Sequence, residues 1–431
     1  MREALRGLTT RGRSFLAAAV AAAISALILG ENDLLRVAVL MAALPALAVI
    51  YVGRARYRMS CVRTLSPRRV PVGSDAQVRL RLQNLSRLPT GTLLLEDRLP
   101  YALGRRPRLV LERLGPRQAS SVAYTVRAEV RGRYQLGPLV VRLTDPFGLC
   151  ELTRSFPSLD TLTVFPRVIP LPAVRPPGDH TGAGESLARS VAVHGDDDVA
   201  TREYRPGDDL RRVHWRSTAR MGELMVRREE QPWESRTTVI LDSRAYAHRG
   251  EGPAASFEWA VSAAASMAVH LRAGGHRVRL VSHRVDVEAN ESTGDGRLLD
   301  ELATVQVRRD ASLGALVNQL RHRLGTGLLI GLFGLLTPAE AELLRGLRSR
   351  GTVCVAFLVD SSTWLQLSDE ARAQADREHQ AALATLVAGG WRVISVRHGM
   401  RLDTLWPAVG RRASGSTLRA APAEAVAGGA R

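Results

Sequence analysis

The densest concentration of reactive side chains in this chain is the stretch Arg202-Glu203-Tyr204-Arg205-Pro206-Gly207-Asp208-Asp209-Leu210-Arg211-Arg212-Val213-His214-Trp215-Arg216-Ser217-Thr218-Ala219-Arg220, which runs on through Met221-Gly222-Glu223-Leu224. Three chemistries fit it. His214 with Asp208 could serve as a base and its orienter. Arginines interleaved with Trp215 suit stacking and phosphate contact with nucleic acid. The same arginines could instead pair with neighbouring carboxylates and clamp the segment to the next domain. The clamp is preferred. The interspersed Asp and Glu residues oppose a polyanion, and a lone histidine beside a tryptophan is more often structural. The residues on which the segment then depends are Tyr204, Gly207, Asp208, Arg211, Trp215, Arg220 and Gly222. Pro206-Gly207 makes a turn, Asp208 or Asp209 caps a short helix carrying Leu210, Val213 and His214, and Met221-Gly222 turns into a strand.

The composition narrows the partners. The 431 residues call for two or three domains. A net charge of +18 invites nucleic acid or an anionic membrane surface. Every one of the 60 basic residues is arginine, however, which reads as a chain-wide preference rather than a built nucleic-acid face. Cys61, Cys150 and Cys354 are scattered and odd in number, so neither a disulfide framework nor a zinc site is expected.

What must position the segment begins at a membrane. Phe15 to Leu29 is apolar apart from Ser25, and Leu34 to Val52 is apolar apart from Arg36 near one end and Pro45 near the middle. Each run approaches the ~20 residues that cross a bilayer core. The linker Gly30-Glu31-Asn32-Asp33 forces an antiparallel hairpin. Arg2, Arg6, Arg11 and Arg13 precede it and Arg54, Arg56, Arg58 and Arg63 follow it, which places both ends in the cytoplasm of the cell membrane. The first run lacks the cleavage site of a signal peptide, and a second run follows at once.

Residues 1–58 are thus expected to be a membrane anchor and residues 59–170 an antiparallel β-sandwich. Period-two runs occur at 77–83 and 121–127, 139–143 is a further strand, and Arg131-Gly132-Arg133-Tyr134 and Asp145-Pro146-Phe147-Gly148 read as turns. Residues 171–201, rich in Pro, Gly, Ala and Asp, form a linker, and 202–235 hold the arginine-rich segment. Over 236–410, buried strands at 238–241, 278–281, 328–333, 353–359 and 393–396 alternate with helices at 254–273, 313–324, 338–348 and 370–387. That pattern predicts a parallel α/β sheet covered on both faces. Residues 411–431 read as a disordered tail.

The segment from Arg202 to Leu224 resembles the hallmark of the bacterial family known as domain of unknown function fifty-eight: Arg-Glu-Tyr-x-Pro-Gly-Asp-Asp-x-Arg-x-x-x-Trp-x-x-x-Ala-Arg-x-Gly-Glu-Leu. The turns at 131–134 and 145–149 and the paired N-terminal helices also look like that family. The resemblance implies a membrane protein associated with a MoxR-type AAA+ ATPase, with a C-terminal domain similar to a von Willebrand factor A domain, and it implies no enzymatic activity. Such a domain carries an Asp-x-Ser-x-Ser Mg²⁺ site after its first strand. Here the stretch is Asp242-Ser243-Arg244-Ala245-Tyr246, and a guanidinium repels a cation. Phe333-Gly334-Leu335-Leu336, after the later strand, adds no carboxylate, and Asp360-Ser361-Ser362-Thr363 is a weak substitute. Asp242 remains a weak metal candidate, equally able to pair with Arg244 or with an arginine of the preceding segment. The leading expectation is a membrane-anchored cytoplasmic adaptor beside inner-membrane lipid, with an AAA+ ATPase partner and without catalytic residues, cofactor, specific nucleic acid or small-molecule substrate. The alternatives are a metal-dependent hydrolase using Asp208, His214 and Asp242, and an arginine-rich nucleic-acid binder.

Overall fold

The two N-terminal apolar runs fold as helices because nothing in them competes with intrahelical hydrogen bonding. Helix α1 (Thr10–Leu29) is capped by Thr9, whose side chain accepts from the Gly12 amide, and it stops at Gly30, whose φ of +68° suits glycine. Helix α2 (Asn32–Arg56) carries Pro45 inside it. Both are long and apolar enough to cross a membrane. The helices pack on each other, and Ala19, Ala26 and Ala38 are buried, while Ala48 joins the core of the strands that follow. Their other faces expose Val20, Leu27, Ile28 and Leu40, with Leu27 81% and Ile28 77% accessible. A soluble core helix would bury such residues.

The computed structural model describes residues 7–56, 59–87, 89–145, 147–174, 201–204, 213–227, 236–289, 294–321, 323, 327–349 and 351–410. Most of the expected linker and the whole expected tail, 411–431, lie outside them. The chain divides into two units, Met1–Arg167 with Leu299–Val305, and Val168–Leu298 with Gln306–Arg431.

The first unit adds ten strands to the helices: β1 (Met59–Ser66), β2 (Arg69–Pro71), β3 (Asp75–Asn84), β4 (Leu93–Asp97), β5 (Arg108–Leu111), β6 (Ala119–Arg127), β7 (Gly132–Leu136), β8 (Leu139–Thr144), β9 (Glu151–Phe156) and β10 (Asp160–Phe165). They form sheets ordered β1-β3-β6, β2-β10-β7 and β5-β4-β8-β9. Strict alternation along β3 sends Val78, Leu80 and Leu82 inward, where they meet Leu93, Leu95, Val141 and Leu143 in one core. Two expectations need correction. The pairing is not wholly antiparallel, because the short β2 runs parallel to β10. Arg131-Gly132-Arg133-Tyr134 is not a turn throughout, because Gly132 to Tyr134 open strand β7 and pair with β10. The ladder overrides the local turn signal there. The Asp145–Gly148 turn does form, closed by the Gly148 amide donating to the Asp145 carbonyl (3.0 Å).

A charged cluster lies within this sandwich. Arg63 donates through Nε and Nη2 to both carboxylate oxygens of Asp97 (3.1 and 2.6 Å) and through Nη1 to Asp160 (3.2 Å) and to the carbonyls of Leu136 and Ser158. Tyr124 donates to the same Asp97 (2.6 Å). Sharing of one guanidinium among four segments ties the sheets together, and desertion by either charged partner would strand a buried ion.

The second unit holds β11 (Thr201–Glu203), α3 (Trp215–Met221), β12 (Met225–Arg227), β13 (Arg236–Leu241), α4 (Ser256–Ala273), β14 (Arg277–Val281) and β15 (Asp286–Ala289). After α5 (Gly296–Thr304), which the division between units cuts, come α6 (Leu313–Arg321), β16 (Gly327–Phe333), α7 (Pro338–Arg345), β17 (Thr352–Val359), α8 (Asp369–Ala388), β18 (Arg392–Val396) and α9 (Leu402–Leu405). Six strands form a sheet ordered β15-β14-β13-β16-β17-β18. Five are parallel, and β15 pairs antiparallel to β14 at the edge. Helices α6, α7 and α8 bury Leu316, Leu344 and Leu383 against one face. The alanine-rich α4 packs closely on β13, β14 and β16. The antiparallel edge strand was not expected: Asp286-Val287-Glu288-Ala289 is too short and too charged to read as a strand, and it is held by its ladder to β14.

Burial pushes the Cys61 and Cys354 thiols up to about 11, and raises Cys150 as well. All three should therefore react slowly with iodoacetamide at pH 7 in the native protein and rapidly once it is unfolded; mass spectrometry of the alkylated peptides reads the difference.

Candidate functional site

Ligands of a parallel sheet collect where its strands end. β13 and β16 are neighbours running the same way, so the residues after Leu241 and after Phe333 emerge side by side. There the Asp242 amide donates to the Leu332 carbonyl (3.0 Å), which fixes Asp242 at the carboxyl edge with its side chain wholly buried. Arg244, two residues on, is also 0% exposed and folds back as a fork: Nε donates to Oδ1 (2.9 Å) and Nη2 to Oδ2 (2.7 Å) of Asp242. The Arg244 amide donates to Oδ1 (3.1 Å) and the Gly334 amide to Oδ2 (3.3 Å).

Both sides of the pair are saturated. A carboxylate offers about four acceptor positions, and Asp242 receives four protein donors. A guanidinium has five N–H groups. The remaining three of Arg244 go to the Leu335 carbonyl (3.1 Å), the Tyr246 hydroxyl oxygen (2.8 Å) and Glu340 Oε1. Tyr246 in turn donates to Glu340 Oε1 (2.5 Å), and the guanidinium carbon lies 4.9 Å from its ring centroid. The cluster thus holds one guanidinium between two carboxylates. Gly334 has to be glycine here, because a Cβ would stand 2.2 Å from the Ala247 carbonyl oxygen.

Histidines frame the cluster in their neutral form. His248 is buried, with Nε2 2.9 Å from the Asp242 carbonyl and Nδ1 3.3 Å from the Ser256 hydroxyl. His283 places Nδ1 2.9 Å from the Ser243 hydroxyl and Nε2 3.0 Å from the Ser312 carbonyl. A carbonyl can only accept, so Nε2 carries the proton in both rings. Burial lowers the affinity of both histidines for a second proton. For Asp242 and Glu340, burial works upward, but the Arg244 bonds outweigh it and hold both carboxyls below their ordinary range. Burial works against the Arg244 charge and its two carboxylates overcome it, so its proton is held more firmly than usual. Burial and the bond to Glu340 raise Tyr246.

This cluster answers two sequence readings. Of the partners open to Asp242, the one it takes is Arg244. Glu340, four residues beyond the stretch that seemed to bring no carboxylate, supplies the second one. It sits at the third position of α7, in a capping box with Thr337. Thr337-Pro338-Ala339-Glu340 was readable as that box, and the adjacency of β13 and β16 would have pointed Glu340 at Asp242. Asp360, the weak substitute, is buried at the end of β17; its Oδ1 accepts from the Ser362 hydroxyl (2.5 Å), and Oδ2 lies 3.8 Å from Arg397 Nε.

The arginine-rich segment folds locally where it is described. Gly207, Asp208 and Arg211 lie outside the described residues. A short helix runs from Trp215 to Met221 with His214 as its cap, Nδ1 accepting from the Ser217 amide (3.2 Å); the helix start expected at Asp208 or Asp209 lies outside the described residues. Val213 and His214 therefore precede the helix; Val213 bridges to Val226 instead. Gly222 ends the helix with φ +78°. The Tyr204 amide donates to Leu224 (2.8 Å) and the His214 amide to Met225 (2.8 Å), which closes the segment on β12. Arg220 lies in the last turn of the helix, where its charge favours the dipole. Trp215, in the first turn of this helix, is 70% exposed.

Residues 200–361 match the family described as protein of unknown function DUF58. The uncharacterized protein YeaD of Bacillus subtilis (strain 168) is similar, 26% identical over 188 residues, which cover 42% of this chain and 47% of that protein. The chain thus spans about half the length of that relative. Among solved structures, the CARDB domain of the PF1109 protein from Pyrococcus furiosus is 15% identical with a TM-score of 0.19, covering 25% of this chain and 91% of that one. PapD-like domain 7 of human CEP192 is 13% identical with a TM-score of 0.19, covering 26% and 88%. At such scores neither likeness carries an argument about this chain.

Arg244→Ala leaves Asp242 charged, buried and unpaired, at a cost of about 3–5 kcal/mol. Without Arg244, burial acts on the Asp242 carboxyl unopposed and raises it, so the variant relieves its buried charge by taking a proton, and that cost should be smaller at pH 5 than at pH 7. The histidines behave otherwise. Their folded affinity is depressed, so the stability they contribute is complete above the unfolded value near ~6.5 and is lost as pH falls. Thermal unfolding of the full chain in detergent should show Tm falling from pH 7 to pH 5 in the wild type, with the gap between wild type and variant narrowing.

Proposed function

Residues 200–361 belong to the DUF58 family, and from that premise we propose that the chain is a membrane-anchored adaptor that presents its α/β unit to a cytoplasmic protein partner. The observation that carries this reading is the saturation of the carboxyl edge. The position where a parallel sheet would hold a metal ion or a reacting group is filled by Arg244, whose donors are all consumed by Asp242, Glu340, Tyr246 and Leu335. A sealed ion cluster gives a rigid surface, and rigid surfaces serve binding. The strand order and the single antiparallel edge strand support a von Willebrand factor A-like reading of this sheet, with the guanidinium in place of a cation. The two exposed apolar helices support the anchor, and the arginines fencing them support a cytoplasmic location for both ends. The family resemblance makes a MoxR-type AAA+ ATPase the partner to test. Trp215 is the side chain most available to it.

The test is mild crosslinking of the full-length protein in its native membranes, with and without ATP. The expected result is a stoichiometric ATPase whose recovery depends on nucleotide and falls at least several-fold with Trp215→Ala, an exposed position whose loss leaves the fold intact. Recovery of no ATPase from intact, folded protein would remove this partner and turn attention to the hydrolase reading.

A further inference from the structure

The sandwich of the first unit is fastened to both helices at one end, and this fixes the height of an exposed aromatic residue. Ahead of α1 the chain pairs with the start of β9: the Glu151 amide donates to Gly7 (2.7 Å), and the Thr9 amide to Leu149 (3.0 Å). The Thr9 hydroxyl donates to the Gly148 carbonyl (2.7 Å). Gly12 allows the close approach, since a Cβ there would stand 2.2 Å from the Leu149 carbonyl oxygen. A second attachment holds α2, whose Tyr51 hydroxyl donates to the Pro89 carbonyl (2.9 Å). Two attachments to two helices prevent the sandwich from swinging about either one.

The turn that touches α1 is stiff. The buried Asp145 carboxylate accepts from the Phe147 amide (3.0 Å) and the Cys150 amide (2.5 Å). The aspartate is consumed in holding the backbone, while the Phe147 side chain is left 66% exposed. Exposed Arg11 and Arg13 stand on the adjoining turn of α1.

We propose that Phe147 is a third membrane contact: its ring enters the headgroup layer of the bilayer beside the helices, with Arg11 and Arg13 meeting lipid phosphates. This rests on the membrane reading of α1 and α2. The uninterrupted apolar run of α1 begins at Phe15, three residues beyond Gly12, which is about 4.5 Å along a helix at ~1.5 Å per residue. The polar layer on each side of a bilayer is roughly 5–7 Å deep. The 145–148 turn therefore lies at the depth of the headgroups, where an aromatic ring is favoured and guanidinium groups find anionic partners. The lipid surface is the occupant that the covalent continuity of α1 brings to this position; a protein or a second copy would have to enter the same layer.

The test uses the full chain with Cys61, Cys150 and Cys354 replaced by alanine, reconstituted in vesicles of phosphatidylcholine and phosphatidylglycerol. Single cysteines at Phe147→Cys, Val20→Cys and Arg79→Cys carry an environment-sensitive fluorophore, and quenching is read with lipids spin-labelled near the headgroup or deep in the chains. The expected result is deep quenching at 20 and shallow quenching at 147 several-fold stronger than at 79, on the open face of β3. Quenching at 20 with 147 no different from 79 overturns the inference while the anchor stands. Absence of quenching at 20 overturns the membrane reading and this inference with it. Shielding of 147 in native membranes but not in vesicles assigns the residue to a protein partner and likewise overturns it.

Discussion

A buried guanidinium held between the buried Asp242 carboxylate and the partly exposed Glu340 is the constraint on which the α/β unit turns. Burying any one of these charges alone would cost several kcal/mol, so Asp242, Arg244 and Glu340 have to arrive together. Parallel pairing of β13 with β16 brings two strand ends to one place, and the capping box at Thr337 delivers Glu340 to the edge. Tyr246 and the neutral His248 complete the hydrogen bonding around it. Each element is ordinary, and their coincidence at one strand end is what gives this edge its character. The edge is an internal ion cluster in which every donor of the Arg244 guanidinium is used.

The sandwich repeats the device with different residues. Arg63 forks onto Asp97 as Arg244 forks onto Asp242, and in each case a tyrosine hydroxyl reaches the same ion pair. The absence of lysine from the chain gives this a physical meaning. Arginine satisfies a buried carboxylate through two parallel bonds and keeps three further donors for carbonyls, whereas an ammonium point charge on a flexible stem fixes no orientation. Each cluster sets one guanidinium against two carboxylates, so these internal pairs take nothing from the net charge of +18.

Much of the architecture was legible because it is written in periodicity. The apolar runs at 15–29 and 34–52, the alternation at 77–83, and the buried strands at 238–241, 328–333 and 353–359 all fall within the helices and strands observed. Three kinds of feature escaped. Strand β15 and the strand at Gly132 depend on ladders with distant partners, which local sequence does not report. The helix at Trp215 is capped by His214, a residue type outside the usual capping set. The ion cluster joins residues nearly a hundred positions apart, and only the sheet order makes Glu340 a neighbour of Asp242. That an arginine stands two residues after Asp242 was visible at once; that its guanidinium joins Asp242 to Glu340 was not.

The central claim is that Arg244 makes the carboxyl edge complete without a metal ion. It is tested most directly by thermal unfolding of the full-length protein in detergent at pH 7, with excess EDTA and then with millimolar Mg²⁺ or Mn²⁺. A saturated Asp242–Arg244–Glu340 cluster predicts the same Tm in all three conditions, because no state of the protein gains a ligand. A Tm raised by several degrees with either cation, or lowered by EDTA, would show that a metal competes for Asp242 and would contradict the account.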